Sequence, residues 1–218
     1  MKIGFLSRIV RYGILPQCKR PRIVSRFKKK GILLTFDDGP CGGPTEEILE
    51  ILRGFGFRAL FFHVGMRIKE RPDLTRRCLE EGHEVGNHGL AMEDPLLQTY
   101  AEFKADYSQA QNSLSRLLKV RESEIYYRPP RGRINLRLYS YYWRVNAKVV
   151  LWSQQVDEFG PLAVAERISR SFSQLSLKEG DILLLHEIPE TVKALPSILV
   201  EVQKSKLEVL SARNALGV

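Results

Sequence analysis

The sequence predicts an α/β protein, an irregular (β/α)7-type barrel, from three observations. Short apolar runs alternate with amphipathic helical patterns along 218 residues that are 44% hydrophobic, enough for one sizeable core. Repeated strand–helix units imply a parallel sheet, and about seven of them are better closed into a barrel than left open. Asp37, Asp38, His88, Arg128, Trp152 and His186 all fall where a strand ends, and strand C-terminal ends share one mouth in such a barrel.

Each element rests on local pattern. Ile32 to Phe36 is a short buried strand that runs into the turn Asp37-Asp38-Gly39-Pro40. Thr45 is expected to cap a helix carrying Ile48, Leu49, Ile51, Leu52 and Phe55 on one face and stopping near Gly54 and Gly56. Ala59 to Val64 is the next strand, Asp73 to Glu81 a helix ended by Gly82, and Glu84 to Gly86 a strand leading into Asn87 and His88. A longer helix covers Tyr100 to Leu118, Tyr126 and Tyr127 lead into Arg128-Pro129-Pro130, and Leu136 to Val145 is helical. Val149 to Trp152, Ile182 to His186 and Leu207 to Leu210 read as strands, with helices over Leu162 to Leu175 and Val192 to Val202.

The net charge of +9 is not a property of the whole chain, because ten of the 34 basic residues and none of the 25 acidic ones lie in residues 1–30. The chain therefore divides into a basic arm, 1–30, and a nearly neutral barrel, 31–218, whose balance argues against nucleic acid as a partner. Phe5, Leu6, Ile9, Val10, Ile14 and Leu15 lie among the arm's cations, so it can form an amphipathic helix on an anionic membrane surface. It can equally lie on the outside of the barrel with its charges solvated. Arg8 and Arg11 interrupt what a secretory signal would need as an uncharged run. Cys18, Cys41 and Cys78 are odd in number and lack CxxC spacing, which fits a reducing compartment; a cytoplasmic chain, peripheral at the inner membrane face, is the expectation. Cys78 reads as a buried small hydrophobe, and Cys41, next to the Asp-Asp-Gly-Pro turn, as either a packed thiol or one near the site.

Adjacent carboxylates after a buried strand are costly unless a cation or strong donors meet them. A divalent metal is the natural partner of Asp37 and Asp38: one can ligate while the other takes a proton from water. An Asp-Asp-Gly-Pro loop alone is weak evidence. Here TFDDGP precedes His83-Glu84-Val85-Gly86-Asn87-His88, then Arg128-Pro129-Pro130-Arg131-Gly132, then Leu184-Leu185-His186. In that order and spacing the chain resembles the polysaccharide deacetylase (NodB homology) family, carbohydrate esterase family 4, over about residues 31–210.

The resemblance implies a metal-dependent hydrolase that removes an N-acetyl or similar acyl group from an amino sugar in a glycan or lipid-linked glycoconjugate. It implies Asp37 as general base, Asp38 and His88 as metal ligands, and His186 as the acid that protonates the leaving amine. Arg128 would neutralise and orient Asp37, and Leu184 and Trp152 would line the pocket for the substrate. One divalent ion is implied, zinc first, with manganese, magnesium or cobalt as alternatives. His63, in an apolar strand, and His83, after a helix-ending glycine, read as structural histidines.

Three departures from the family pattern matter. Met92 occupies the position of a second ligating histidine, and Glu93 or Asp94 could replace it as a carboxylate ligand, or could merely cap the next helix. After Trp152 the stretch reads Ser153-Gln154-Gln155-Val156-Asp157-Glu158-Phe159, where Asp157 or Glu158 could tune His186 and Phe159 could supply an aromatic wall. Arg131 stands where an aromatic is usual, and a cation at the mouth points to an acidic sugar. The alternative function is a non-catalytic sugar-binding protein whose metal site decayed at Met92.

Overall fold

The computed structural model describes residues 22–156, 168, 170 and 172–217. Its strands are β1 (Arg22–Val24), β2 (Leu33–Gly39), β3 (Ala59–His63), β4 (Glu84–Asn87), β5 (Tyr126–Tyr127), β6 (Lys148–Val150), β7 (Gln154–Gln155) and β8 (Ile182–His186). They form one all-parallel sheet in the order β1-β6-β5-β4-β3-β2-β8-β7. The sheet curls into a half-barrel of the expected (β/α)7 type. Among the described residues β1 and β7 do not pair with each other; beyond β1, Arg26 bridges to Asp181 at the foot of β8.

The helices are α1 (Pro44–Phe55), α2 (Gly65–Glu70), α3 (Pro72–Glu80), α4 (Tyr100–Leu118), α5 (Leu136–Arg144), α6 (Pro189–Lys204) and α7 (Ala212–Leu216). Period-two alternation sorts the strand residues into two cores. Leu34, Phe36, Phe61, Leu183 and Leu185 pack outward against Ile48, Leu49 and Leu52 of α1 and Leu195, Ile198 and Leu199 of α6. Leu33, Leu60, Phe62, Val150 and Ile182 pack together inside the curl. Each buried side chain of this size contributes roughly 1.5–3 kcal/mol. Thr35, Asp37, Leu184 and His186 continue the inner rows toward the strand ends, so polarity rises toward one mouth.

Several boundaries differ from the sequence reading. β2 runs through Asp37 and Asp38 to Gly39, with a bulge at Asp38 (φ 71°), because Asp37 and Gly39 still pair with Phe62 and His63 of β3. Thr45 lies inside α1 and is not its cap; Gly43 holds that position, and the Thr45 hydroxyl turns inward. Leu207–Leu210 is not a strand among the described residues: only Val209 bridges, to Ile32. Arg22–Val24, assigned to the arm, is instead an edge strand, since Ile23 and Val24 sit opposite Val149 and Val150. Residues 1–21 of the arm and most of the helix expected over 162–175 lie outside the described residues. Among the described residues no helix is long and apolar enough to cross a membrane.

His83 is a packed histidine, 4% exposed, whose Nδ1 accepts a hydrogen bond from the Ala59 N–H at 3.2 Å beside the Phe61 ring. Burial, then the nearby Arg58 charge, pushes its pKa from 6.5 down to about 4. The unfolded chain therefore binds more protons between those values, and stability falls as pH drops from 6.5 to about 4. We expect about 2–3 kcal/mol of acid destabilisation from this residue by pH 4.5. Urea unfolding of the protein and its His83→Gln variant at pH 7 and pH 4.5 checks it: equal losses in both would show that His83 does not contribute.

Candidate active site

Arg128 organises the site. It follows β5, is fully buried, and its guanidinium lies 4.2 Å from the Phe62 ring centroid and 5.6 Å from that of Trp152. Its Nε donates to the Val150 carbonyl at 3.0 Å and one terminal nitrogen to the Leu151 carbonyl at 3.0 Å. The other donates to Thr35 Oγ1 at 2.8 Å and Asp37 Oδ1 at 2.6 Å. Burial lowers the Arg128 pKa, with the Asp37 carboxylate opposing that shift. The arginine thus aims one carboxylate oxygen of Asp37, leaving Oδ2 3.7 Å from His88 Nε2.

The backbone carbonyl of Arg128 also sets His88. It lies 2.9 Å from His88 Nδ1, and since a carbonyl only accepts, Nδ1 carries the proton. His88 Nε2 then faces Asp38 Oδ1 at 3.3 Å. Two acceptors at that separation call for a cation between them, a proton or a metal ion. Burial pushes the Asp38 carboxyl up, but the hydrogen bond with His88 and the charges of His88, His186 and Arg67 outweigh it and hold the group below its ordinary value.

Asp106, Gln111 and Arg67 support the site from outside the recognisable motifs. Asp106, on the buried face of α4, accepts from the Leu90 N–H at 2.5 Å and the Ala91 N–H at 3.3 Å, shaping the loop that leads from His88 to Met92. Burial raises its pKa against those two backbone hydrogen bonds. Asn87 is held by Gln111 at 2.7 Å and caps the Gly89 N–H. Arg67 of α2 donates to the Asp38 carbonyl and to Cys41 Sγ. Burial raises the Cys41 pKa, so the thiol serves the turn as a packed neutral group. The one sequence signal for Asp106 is a charged residue on the apolar side of a helix, between Phe103 and Ala110.

A cavity of about 560 Å³ opens over these groups, lined by Asp37, Asp38, His88, Met92, Pro130, Arg131, Trp152, Gln155, Val156, Leu184 and His186. His186 stands directly beside Asp37 in the sheet register, and Leu184 beside Thr35. The Trp152 indole donates to Gln155 at 2.6 Å, and its ring lies where a Cβ on Gly132 would sit, 2.5 Å away. Only glycine, at φ 64°, lets the Arg128–Gly132 loop pass under that ring.

Glu93 and Asp94 are not brought to the Asp38–His88 pair. The Asp94 carboxylate, 5% exposed, accepts from Arg133 at 2.7 Å and the Leu96 N–H at 3.0 Å, with Arg131 at 3.7 Å. Glu93 accepts from Gln98 at 3.1 Å. Cations and an amide thus engage both carboxylates away from the Asp38–His88 pair. Asp157, Glu158 and Phe159 lie outside the described residues.

Comparison with known proteins agrees with this geometry. The polysaccharide deacetylase family model matches residues 25–150, more than half the chain. The chain belongs to the polysaccharide deacetylase family. A peptidoglycan-N-acetylglucosamine deacetylase of Bacillus cereus is 31% identical over 194 residues, covering 86% of this chain and 89% of the relative. A chitooligosaccharide deacetylase of Azorhizobium caulinodans is 31% identical over 163 residues, covering 73% and 74%. The crystal structure of the Bc1960 peptidoglycan N-acetylglucosamine deacetylase superposes with TM-score 0.79 at 22% identity, covering 90% of this chain and 93% of that one.

Polysaccharide deacetylases are hydrolases of N-acetyl amide bonds and are in general metal-dependent. Asp38 and His88 fit a divalent ion: their acceptor atoms converge, and the Nδ1–H to carbonyl bond is the support that metal-ligating histidines use. Met92 lines the same cavity, but no third His, Cys, Asp or Glu completes a cluster among the described residues. The sugar-binding alternative is less supported, because the relatives that match along most of this chain are named as deacetylases.

Proposed function

We propose that this polysaccharide deacetylase hydrolyses the N-acetyl amide of an amino sugar within a glycan strand, and that it favours strands carrying carboxylates, such as those containing N-acetylmuramic acid. The observation that carries the reading is the placing of Asp37 and His186 side by side over one cavity that Asp38 and His88 also line.

A divalent ion held by Asp38 and His88, zinc being our assignment, would polarise the acetyl carbonyl and acidify a water. Asp37, aimed by Arg128, accepts the proton of the attacking water. His186 gives a proton to the sugar nitrogen as the C–N bond breaks, so acetate and a free amine leave. Leu184 and Trp152 line the pocket and exclude water from the acetyl side. Bringing the glycan's N-acetyl group to this cavity supplies the orientation that makes water attack unimolecular in effect.

Arg131 supports the choice of an acidic glycan. It lines the cavity at φ 59° with its side chain 64% exposed, while Asp94 is already paired at shorter range with Arg133. An exposed guanidinium at the rim attracts a substrate carboxylate for about 0.2–1 kcal/mol, and reversing its sign about doubles the effect. We therefore expect Arg131→Glu to lower kcat/KM roughly three- to tenfold on peptidoglycan strands and to leave neutral chitooligosaccharides within twofold. Acetate release from both substrates is the measurement. No release from either would refute deacetylation; equal effects on the two would remove the acidic preference.

A further inference from the structure

We propose that Glu187 is a positioning residue of this site: a buried carboxylate that, with His63 and Thr45, fixes the Asp37–Gly39 turn and the backbone carrying His186. The inference rests on the deacetylase reading for its kinetic consequence, and on geometry alone for its structural one.

Glu187 is 1% exposed and follows His186 directly. Its backbone N–H donates to the Asp37 carbonyl at 3.0 Å, tying the end of β8 to β2 at the level of the acid and the base. Its carboxylate folds behind the turn, where Oε2 accepts from the Thr45 hydroxyl of α1. Thr45 Oγ1 in turn accepts from the Cys41 N–H at 2.7 Å, closing the loop that follows Asp38. Oε1 lies 3.3 Å from His63 Nε2, an ion-pair contact between two buried atoms that make no hydrogen bond among the described residues. His63 is itself fully buried and anchored by its Nδ1 to Thr75 Oγ1 of α3 at 3.0 Å.

The turn is cut to fit this carboxylate. A Cβ on Gly39 would lie 1.7 Å from Glu187 Oε1, so a side chain there and the acid cannot coexist. The Val64 N–H donates to the Gly39 carbonyl at 2.6 Å, and the His88 N–H to the His63 carbonyl at 3.0 Å, so the same cluster reaches the ligand-bearing end of β4. Burying a carboxylate behind an apolar sheet is unfavourable unless its donors are all in place. Its partners on α1, β2 and β3, with His63 anchored in turn to α3, are therefore held in one arrangement beside Asp37, Asp38, His88 and His186.

The test compares Glu187→Ala and Glu187→Gln with Leu199→Ala, a core truncation in α6, in the whole chain below each variant's melting temperature. Misplacement by about 1 Å can cost roughly 10²-fold in rate, so Glu187→Ala is expected to lower kcat about 30- to 100-fold with KM within about threefold. Glu187→Gln keeps the shape and a donor–acceptor pair and is expected to recover most of that loss; Leu199→Ala is expected to keep the parent kcat. In parallel, backbone amide NMR shifts of Asp37, Asp38, Gly39 and His186 should move in Glu187→Ala and not in Leu199→Ala. Unmoved shifts in Glu187→Ala, or an equal rate loss in Leu199→Ala, overturn the proposal. If the parent protein releases no acetate, the functional reading fails and the NMR comparison alone decides this one.

Discussion

Asp37→Asn is expected to lower kcat by roughly 10²–10⁴-fold with KM little changed, the range for loss of a general base. The same change should destabilise the fold by about 3–5 kcal/mol, because it leaves a fully buried guanidinium without its anion. Asn still offers an acceptor at Oδ1, but the Thr35 hydroxyl and the two carbonyls that remain around Arg128 carry no charge. The two effects can be separated. Asp37→Asn combined with Arg128→Met removes the stranded cation and should regain most of the stability by urea unfolding, while kcat stays at the level of the single variant or below it. A double variant as unstable as Asp37→Asn would mean that the pair is not the source of the loss. An Asp37→Asn enzyme with more than about a third of parent kcat would remove Asp37 from proton transfer.

Met92→His is expected to tighten zinc binding by at least about tenfold. Changes in the shell outside a metal's ligands already shift affinity roughly 10–100-fold, and this change adds a ligand. The reasoning is chemical: Asp38 and His88 offer an oxygen and a nitrogen, while a thioether is a soft, weak donor to zinc. Met92 lies at the cavity wall at φ 59°, on the loop that Asp106 holds in place, so an imidazole there opens on the same space as the pair. Chelator competition with zinc gives the affinity directly. Asp38→Ala and His88→Ala should abolish binding in both backgrounds, whereas Glu93→Ala with Asp94→Ala should leave it unchanged, since those carboxylates are engaged by Gln98 and Arg133. Loss of zinc in the Glu93, Asp94 double variant would show that the loop rearranges to bring a carboxylate in.

Asp37, Asp38, His88, Arg128, Trp152, Leu184 and His186 line or support one cavity, and the reason they could be found is local. Each lies at or just beyond a short apolar run, and such runs in a parallel α/β sheet end at the same rim. The long helix, Tyr100–Leu118, and the last catalytic strand, Ile182–His186, carry their bounds in their periodicity and caps. Family order and spacing then assign roles that hydrophobic pattern alone cannot.

Long-range choices belong to the tertiary structure. Nothing near Asp94 in sequence says that Arg133 will pair with it; that contact spans 39 residues. Arg22–Val24 becomes a strand only because β6, more than a hundred residues later, leaves an edge open beside it. Glu187 is buried because α1 and β3 close over it with Thr45 and His63. Sequence period shows which way a side chain points from its own element, so it determined the barrel, the mouth and the residues that face it. Which donor meets which acceptor depends on how separate elements dock, and for a buried charge that docking decides whether it binds a metal, pairs with an arginine or holds a turn.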